Sequence, residues 1–178
     1  MRNHASIEIA RPAEAVYDYV THPDNAAYWQ VAVARYETLT YSDMGAHMGV
    51  GGQTRWIFNA GPFELEVIET VVAAERPTMF ASQHQLTQFI SGPAPKPGEH
   101  PMSSHDLQQQ FQAAYGKGTP GGLVAISVTA NNASSSTLDI RMETNIGGSA
   151  WLITKIQRLF GRNALRDSLK RIKSNLER

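Results

Sequence analysis

The 178-residue chain contains no cysteine, carries no net charge and has no long apolar run. Because cysteine is absent, disulfides, thiolate metal ligands and cysteine nucleophiles are excluded, and the core must hold the fold. No stretch approaches the roughly 20 apolar residues of a membrane-spanning helix. The segment MRNHASIEIA also lacks the pattern of a signal peptide. We therefore expect one cytoplasmic domain over residues 1–178, either monomeric or homodimeric.

Motifs for metal, phosphate and nucleophilic chemistry are missing as well. His100 and His105 stand in a proline-rich segment without an HExxH motif, which gives little support for a metal site. The glycines of GVGGQ lead into a strand and not into a helix, so they do not form a phosphate loop. GGSAW lacks the GxSxG pattern of an exposed serine nucleophile. No metal, cofactor or nucleic-acid partner is expected.

The neutral total hides an uneven distribution of charge. Residues 150–178 carry eight Lys and Arg against two acids, a net charge of +6, whereas residues 1–149 carry a net charge of −6. A basic segment of this kind can contact anionic lipid or phosphate groups. A long helix with a basic solvent face is the simpler interpretation. Weak contact with an anionic membrane stays an open alternative.

Alternating and β-branched segments predict a sheet of seven strands. A first strand over 4–10 is followed by a short helix that begins at Pro12. Asp24 can cap a second short helix, which ends near Trp29. The other strands are predicted at 31–42, 53–59, 63–72, 78–86, 123–130 and 136–144.

The sequence NAGP at 59–62 predicts a tight hairpin between two of these strands. If these four residues form the turn, Phe58 lies opposite Phe63 and Trp56 lies opposite Leu65. One face of the hairpin is then aromatic and aliphatic and the other is charged. This is the pattern of a sheet that is buried on one side and solvated on the other.

Two segments depart from the strand pattern. Residues 91–122 are rich in proline and glycine, which predicts an insertion with a short amphipathic helix over 103–115. Residues 149–177 carry apolar ridges at helical spacing on both sides of Gly161. They predict a long terminal helix with a kink or a change of face at this glycine.

Three stretches resemble the START-like, or SRPBCC, superfamily of polyketide cyclases, dehydrases and lipid-transport proteins. SIEIARPAEAVYDYVTHPDNAAYWQ resembles its first strand and paired short helices, RWIFNAGPFELEVIETVVAAERP its central hairpin, and RNALRDSLKRIKSNLER its terminal helix. The resemblance covers most of the chain apart from 91–122. It implies an α+β helix-grip fold, in which a seven-stranded curved antiparallel sheet, with two short helices after its first strand, grips a long C-terminal helix. It also implies a cavity for a small hydrophobic molecule such as a lipid, an isoprenoid or a polyketide, although such motifs specify a fold and not a reaction.

Side chains on the predicted inner face are candidate ligand contacts, although core packing uses the same face. In the insertion, Leu107, Phe111 and Tyr115 could form a lid over the cavity or simply pack on the edge of the sheet. The candidate ligand contacts are Trp56, Phe58, Phe63, Leu65, Phe80, His84, Ile126, Ile140, Met142 and Ile156.

Two ionisable side chains are candidates for acid–base chemistry. Strict alternation along FELEVIE would place Glu69 inside, where a carboxylate needs a partner and could act as an acid or base with a raised pKa. A β-bulge near Ile68 that turns Glu69 outward is the favoured alternative. His84 could orient or deprotonate a ligand, but a lone histidine without an identified partner is more often structural.

Three functional hypotheses follow from these residues. A carrier or sensor of a small hydrophobic molecule comes first, because the pattern supplies an apolar face but no convergent catalytic set. A cyclase or dehydratase that moves a proton through Glu69 or His84 comes second. A module that docks on a membrane or a protein through the basic terminal helix comes third.

Overall fold

The computed structural model describes residues 2–40, 48–60, 63–91, 121–145 and 161–178, together with residues 97, 103, 105, 106, 109 and 113. The strands are β1 (Arg2–Ile9), β2 (Val33–Thr40), β3 (Gln53–Ala60), β4 (Phe63–Glu75), β5 (Met79–Ser91), β6 (Gly121–Asn132) and β7 (Ser135–Asn145). The helices with defined bounds are α1 (Ala13–Thr21), α2 (Pro23–Trp29) and α3 (Arg162–Leu176).

The seven strands form one antiparallel sheet in the order β1-β7-β6-β5-β4-β3-β2. Register shifts interrupt the pairing of β2 with β3, of β4 with β5 and of β6 with β7. Because an extra residue in one strand bends the ladder and increases its twist, these shifts curve the sheet. The predicted α+β architecture, with a curved seven-stranded sheet, two short helices after the first strand and a C-terminal helix, is confirmed.

The β3–β4 hairpin differs from the prediction by two residues. Pairing continues to Ala60, so that Phe58 lies opposite Leu65 and Trp56 lies opposite Val67. The predicted partners, each two residues earlier on β4, are wrong because the ladder reaches further into the turn than the prediction assumed. An even shift moves no side chain to the other face, so the predicted apolar face is kept.

Helix α2 begins at Pro23 with a histidine cap. The Nδ1 atom of His22 accepts a hydrogen bond from the backbone N–H of Asp24 at 3.3 Å. The prediction of Asp24 as the cap is therefore wrong, and this residue lies in the first helical turn. Its Oδ1 atom accepts a hydrogen bond from the Tyr36 hydroxyl at 2.8 Å, which ties α2 to β2.

The terminal helix is shorter than predicted within the part of the chain that the structure describes. Gly161 precedes α3 with extended backbone angles (φ −79°, ψ 172°), so no continuous helix runs over 149–177. The backbone at Gly161 is therefore not helical, where the sequence predicted a kink or a change of face. Residues 146–160 lie outside the described part of the chain. Helix α3 packs against β1 and buries most of the second apolar ridge: Leu165, Leu169 and Ile172.

Two hydrogen bonds tie the end of α3 to the end of β1. The backbone N–H of Ala10 donates to Glu177 Oε1 at 2.7 Å, and Lys173 Nζ donates to the Glu8 carbonyl oxygen at 2.7 Å. The Ala10 hydrogen bond and the nearby Lys173 ammonium hold the pKa of Glu177 below its ordinary value. These bonds join residues that are more than 160 positions apart in sequence.

The predicted helix of the insertion is described at isolated positions. The backbone is helical at His105, Asp106, Gln109 and Ala113. Ser103 Oγ accepts a hydrogen bond from the Asp106 N–H at 3.2 Å, and the Ser103 N–H donates to Asp106 Oδ2 at 3.1 Å. This reciprocal pair is the arrangement that begins many helices.

Candidate functional site

A cavity of about 70 Å³ lies on the inner face of the sheet, bounded by β3 to β7 and by α1, α2 and α3. Most of the predicted contacts are on its wall. These are Trp56, Phe58, Phe80, His84, Ile126, Ile140 and Met142. Leu65 is buried in the packed core and does not line the cavity. The Phe63 side chain and residues Leu107, Phe111, Tyr115 and Ile156 fall outside the described part of the chain.

The volume of the cavity limits what it holds in this conformation. It exceeds the roughly 10–15 Å³ that one water needs, but it is smaller than the roughly 150 Å³ of a cavity known to hold benzene. Met48 and Met142 form part of its wall. Methionine is unbranched and has three rotatable side-chain bonds, so movement of these two residues would enlarge the space.

Glu69 points into the interior, and the favoured bulge near Ile68 is wrong. The β3–β4 ladder is regular from one end to the other, so strict alternation holds through these residues. Glu69 is only 8% exposed. Its Oε2 atom accepts a hydrogen bond from Trp56 Nε1 at 2.7 Å, and its Oε1 atom lies 3.3 Å from His84 Nε2. The carboxylate thus has the partners that burial demands.

The expected raised pKa of Glu69 is wrong as well. Burial alone would raise the pKa, because it disfavours the charged form. Hydrogen bonds from His84, Ser82 and Trp56, together with the positive charge that His84 carries whenever it is protonated, outweigh burial and hold the pKa below its ordinary value of 4.5. Glu69 is therefore ionised at neutral pH. It can accept hydrogen bonds and balance a cation, but it carries no proton to donate.

His84 meets both of its partners through one ring nitrogen. The Nε2 atom lies 3.3 Å from Glu69 Oε1 and 3.0 Å from Ser82 Oγ. Because an ionised carboxylate faces Nε2, the proton of a neutral ring belongs on this atom. In a serine-nucleophile triad the two ring nitrogens have separate partners, whereas here the nitrogen beside Ser82 already carries a proton. The geometry therefore does not activate Ser82.

The cavity wall includes residues that sequence reasoning did not name as candidates, among them Thr54, Ser82 and Trp29. Thr54 and Ser82 are fully buried, and each lies two residues before a predicted inner-face side chain. The period of two therefore carried a signal for both. Trp29 is 7% exposed, and its indole N–H has no hydrogen-bond partner among the described residues. No local sequence pattern predicts that Trp29 lines the cavity, because the position of α2 over the sheet depends on tertiary packing.

The solvent side of α3 is basic. Arg162, Arg166, Lys170 and Arg171 are all exposed. Lys170 Nζ lies 3.7 Å from Asp167 Oδ1 on the same helix, which compensates one of these charges weakly. Within the described ranges, no helix combines the length and apolar character needed to cross a bilayer. No group of three or more His, Asp or Glu side chains in these ranges could hold a metal ion.

Comparison with known proteins extends these observations. The family model described as "Polyketide cyclase / dehydrase and lipid transport" matches residues 2–177. No curated protein matches the chain by sequence.

Solved structures share the fold at low identity. A START superfamily protein from Mycobacterium smegmatis has a TM-score of 0.63 and 12% identity, over 99% of this chain and 97% of that one. The Zhui aromatase/cyclase from Streptomyces sp. R1128 has a TM-score of 0.66 and 12% identity, over 100% and 94%. Norcoclaurine synthase from Thalictrum flavum, in complex with dopamine and hydroxybenzaldehyde, has a TM-score of 0.57 and 14% identity, over 99% and 86%. At these identities the likeness is one of fold alone.

Proposed function

Because this chain belongs to the polyketide cyclase/dehydrase and lipid transport family, we propose that it binds a small hydrophobic molecule in the cavity between the sheet and the helices. The main support for this proposal is the composition of the cavity wall. Aromatic and aliphatic side chains surround one buried, ionised carboxylate with its hydrogen-bond partners. Ligand sites in proteins are typically apolar with a few placed polar groups.

The size of the cavity limits the classes of ligand that it can hold. A volume of about 70 Å³ must be enlarged by movement of the two wall methionines before it can hold a ring, and a small enlargement of this kind suits a compact ring-shaped molecule better than an extended acyl chain. Of the predicted ligand classes, a small polyketide-like ring therefore fits best. His22 and Gln30 on the wall are partly exposed, so the ligand would enter on the side where α2 begins and ends.

Titration of the protein with 4-nitrotoluene tests this proposal. Quenching of tryptophan fluorescence measures how much 4-nitrotoluene is bound. Ala164 lines the cavity from α3, so Ala164→Leu should fill part of the space and weaken binding by about tenfold. Ala15 is an exposed alanine on α1, and Ala15→Leu is the matched control that should leave binding unchanged.

Two results would contradict ligand binding in the cavity. One is no saturable binding of 4-nitrotoluene to the unaltered protein, and the other is equal binding by Ala164→Leu and Ala15→Leu. Circular dichroism checks that each variant is folded. If Ala164→Leu does not fold, Ser168→Leu replaces it, because Ser168 lies on the same wall.

A second candidate is an enzyme of the cyclase or dehydratase type. It is favoured by the convergence of Glu69, His84 and Ser82 on one part of the cavity, which the sequence pattern did not foresee. The lipid-carrier alternative has no comparable observation in its favour. Contact of the basic α3 face with an anionic membrane, a cytoplasmic location and the monomeric or dimeric state stay predictions.

A further inference from the structure

We propose that His84 is the proton acceptor of the cavity, positioned by Glu69, and that the protein binds a ligand with an acidic hydroxyl group as its anion. This inference rests on the proposed function, because it requires a ligand in the cavity. It adds the ligand's chemical class, a phenol or a stable enol, and assigns separate roles to the two ionisable residues.

Buried donors hold the Glu69 carboxylate in a fixed position. Trp56 Nε1 donates to Glu69 Oε2 at 2.7 Å, and Ser82 and His84 approach the same carboxylate. With donors on both oxygens the group cannot rotate without losing a buried hydrogen bond. Glu69 therefore presents Oε1 to the His84 ring in a constant orientation.

The fixed carboxylate decides the tautomer of the His84 ring. An ionised oxygen 3.3 Å from His84 Nε2 requires a proton on this nitrogen. In the neutral ring the lone pair is then on Nδ1. Nδ1 forms no hydrogen bond with the described residues. Every fully buried side-chain nitrogen that lacks a partner is accounted for by Trp29 and Arg55 in these residues, so His84 Nδ1 is not fully buried. The basic nitrogen of His84 is therefore accessible, on a side chain that lines the cavity.

Transfer of the ligand proton to His84 keeps the total charge of the cavity unchanged. The ligand O–H bond breaks, a new N–H bond forms at His84 Nδ1, and the ligand oxygen keeps the electron pair. The imidazolium then lies between the ligand anion and the Glu69 carboxylate, which stabilises the positive ring. His22 is the remaining titratable histidine on the described wall, and its Nδ1 caps α2. No Lys or Arg among the described lining residues competes as a partner for the anion.

Phenols with a pKa near that of imidazole, roughly 6.5, report this transfer directly. The probe is 4-nitrophenol, whose anion absorbs at longer wavelength than the neutral dye. At a pH at which the free dye is mostly protonated, dye bound to the unaltered protein should show the phenolate band. His84→Gln should reduce the bound phenolate fraction by about tenfold. Glu69→Gln should also lower it, because the imidazolium loses its counter-charge.

His4→Gln is the matched control, because His4 is an exposed histidine on β1 that does not line the cavity. It should leave the phenolate band unchanged. Each variant is first titrated with 4-nitrotoluene, which has a similar shape but no acidic hydroxyl. Retained binding of this probe shows that the cavity is intact, so a lost band then reports the proton acceptor and not a collapsed site. If His84→Gln fails this check, His84→Asn takes its place.

The outcomes separate the two proposals. If neither dye binds the unaltered protein, the proposed function fails and this inference fails with it. If both bind and the nitrophenol stays protonated, or if His84→Gln keeps the band, only the role of His84 is overturned. A full band in a folded Glu69→Gln variant would overturn the positioning role of Glu69.

Discussion

The inner face of the sheet has two unlike halves. On β1 and β7 the side chains at 0% exposure are Ile9, Leu138 and one hydroxyl residue, Ser136, which carries no charge and donates to the Arg11 carbonyl oxygen. On β3 to β5 comparable depth is occupied by Thr54, Glu69 and Ser82, which are 0%, 8% and 0% exposed. Buried polar groups destabilise a fold unless they are partnered, and an apolar core needs none. The comparison separates residues that stabilise the fold from residues for which we propose a ligand.

The largest expected effect lies in the apolar half. Leu138→Ala should lower the free energy of unfolding by about 3 kcal/mol, because it removes buried contacts and leaves a void. Leu138 does not line the cavity, so the folded variant should bind 4-nitrotoluene normally. Urea unfolding measures the first quantity and fluorescence titration the second. Weakened binding in the folded variant would show that the two halves are not independent.

The next effect lies in the polar half and depends on pH. Glu69→Gln should lower the free energy of unfolding by about 2 kcal/mol at pH 7, because buried hydrogen bonds to a charged group are lost. The folded-state pKa of Glu69 lies below 4.5. Its stabilisation is therefore present above the unfolded pKa and is lost as the pH falls through the folded value.

Urea titrations of both proteins at pH 7 and at pH 3 measure this dependence. The difference between the unaltered protein and Glu69→Gln should be largest at pH 7 and should shrink at pH 3. A difference that grows on acidification would mean that Glu69 is protonated in the native state, which would contradict the description of its ionisation.

The smallest effect lies on the outer face, where neither half is touched. Arg55 Nη1 lies 2.9 Å from Glu37 Oε2, and both side chains are substantially exposed, at 42% and 62%. Exposed ion pairs contribute little, so Glu37→Gln should change the free energy of unfolding by less than about 0.5 kcal/mol. The small loss of stability in Glu37→Gln is the reference against which the losses in Leu138→Ala and Glu69→Gln are compared. A loss as large as that from Glu69→Gln would remove the contrast between buried and exposed charge.

The order and faces of the elements could be predicted from the sequence, because they depend on local periodicity. The network of the site could not, because it depends on register. The observed register places Trp56 opposite Val67, one inner-face position from Glu69, whereas the predicted one placed it opposite Leu65, further away. Pairing of Glu69 with His84 across β4 and β5 is likewise a property of the assembled sheet. Alternation thus indicates which side a residue faces, and strand pairing decides which residues it meets.

The bonds between the two ends of the fold have a consequence for protein synthesis. Strand β1 is translated early, yet its neighbour in the sheet is β7, and its hydrogen bonds from Lys173 and to Glu177 come later still. Contacts over such long separations in sequence slow folding. In a nascent chain on the ribosome, β1 therefore has no permanent neighbour until β7 has been synthesised. The hydrogen bonds from Lys173 and to Glu177 can form only after the final turn of α3 has also left the exit tunnel.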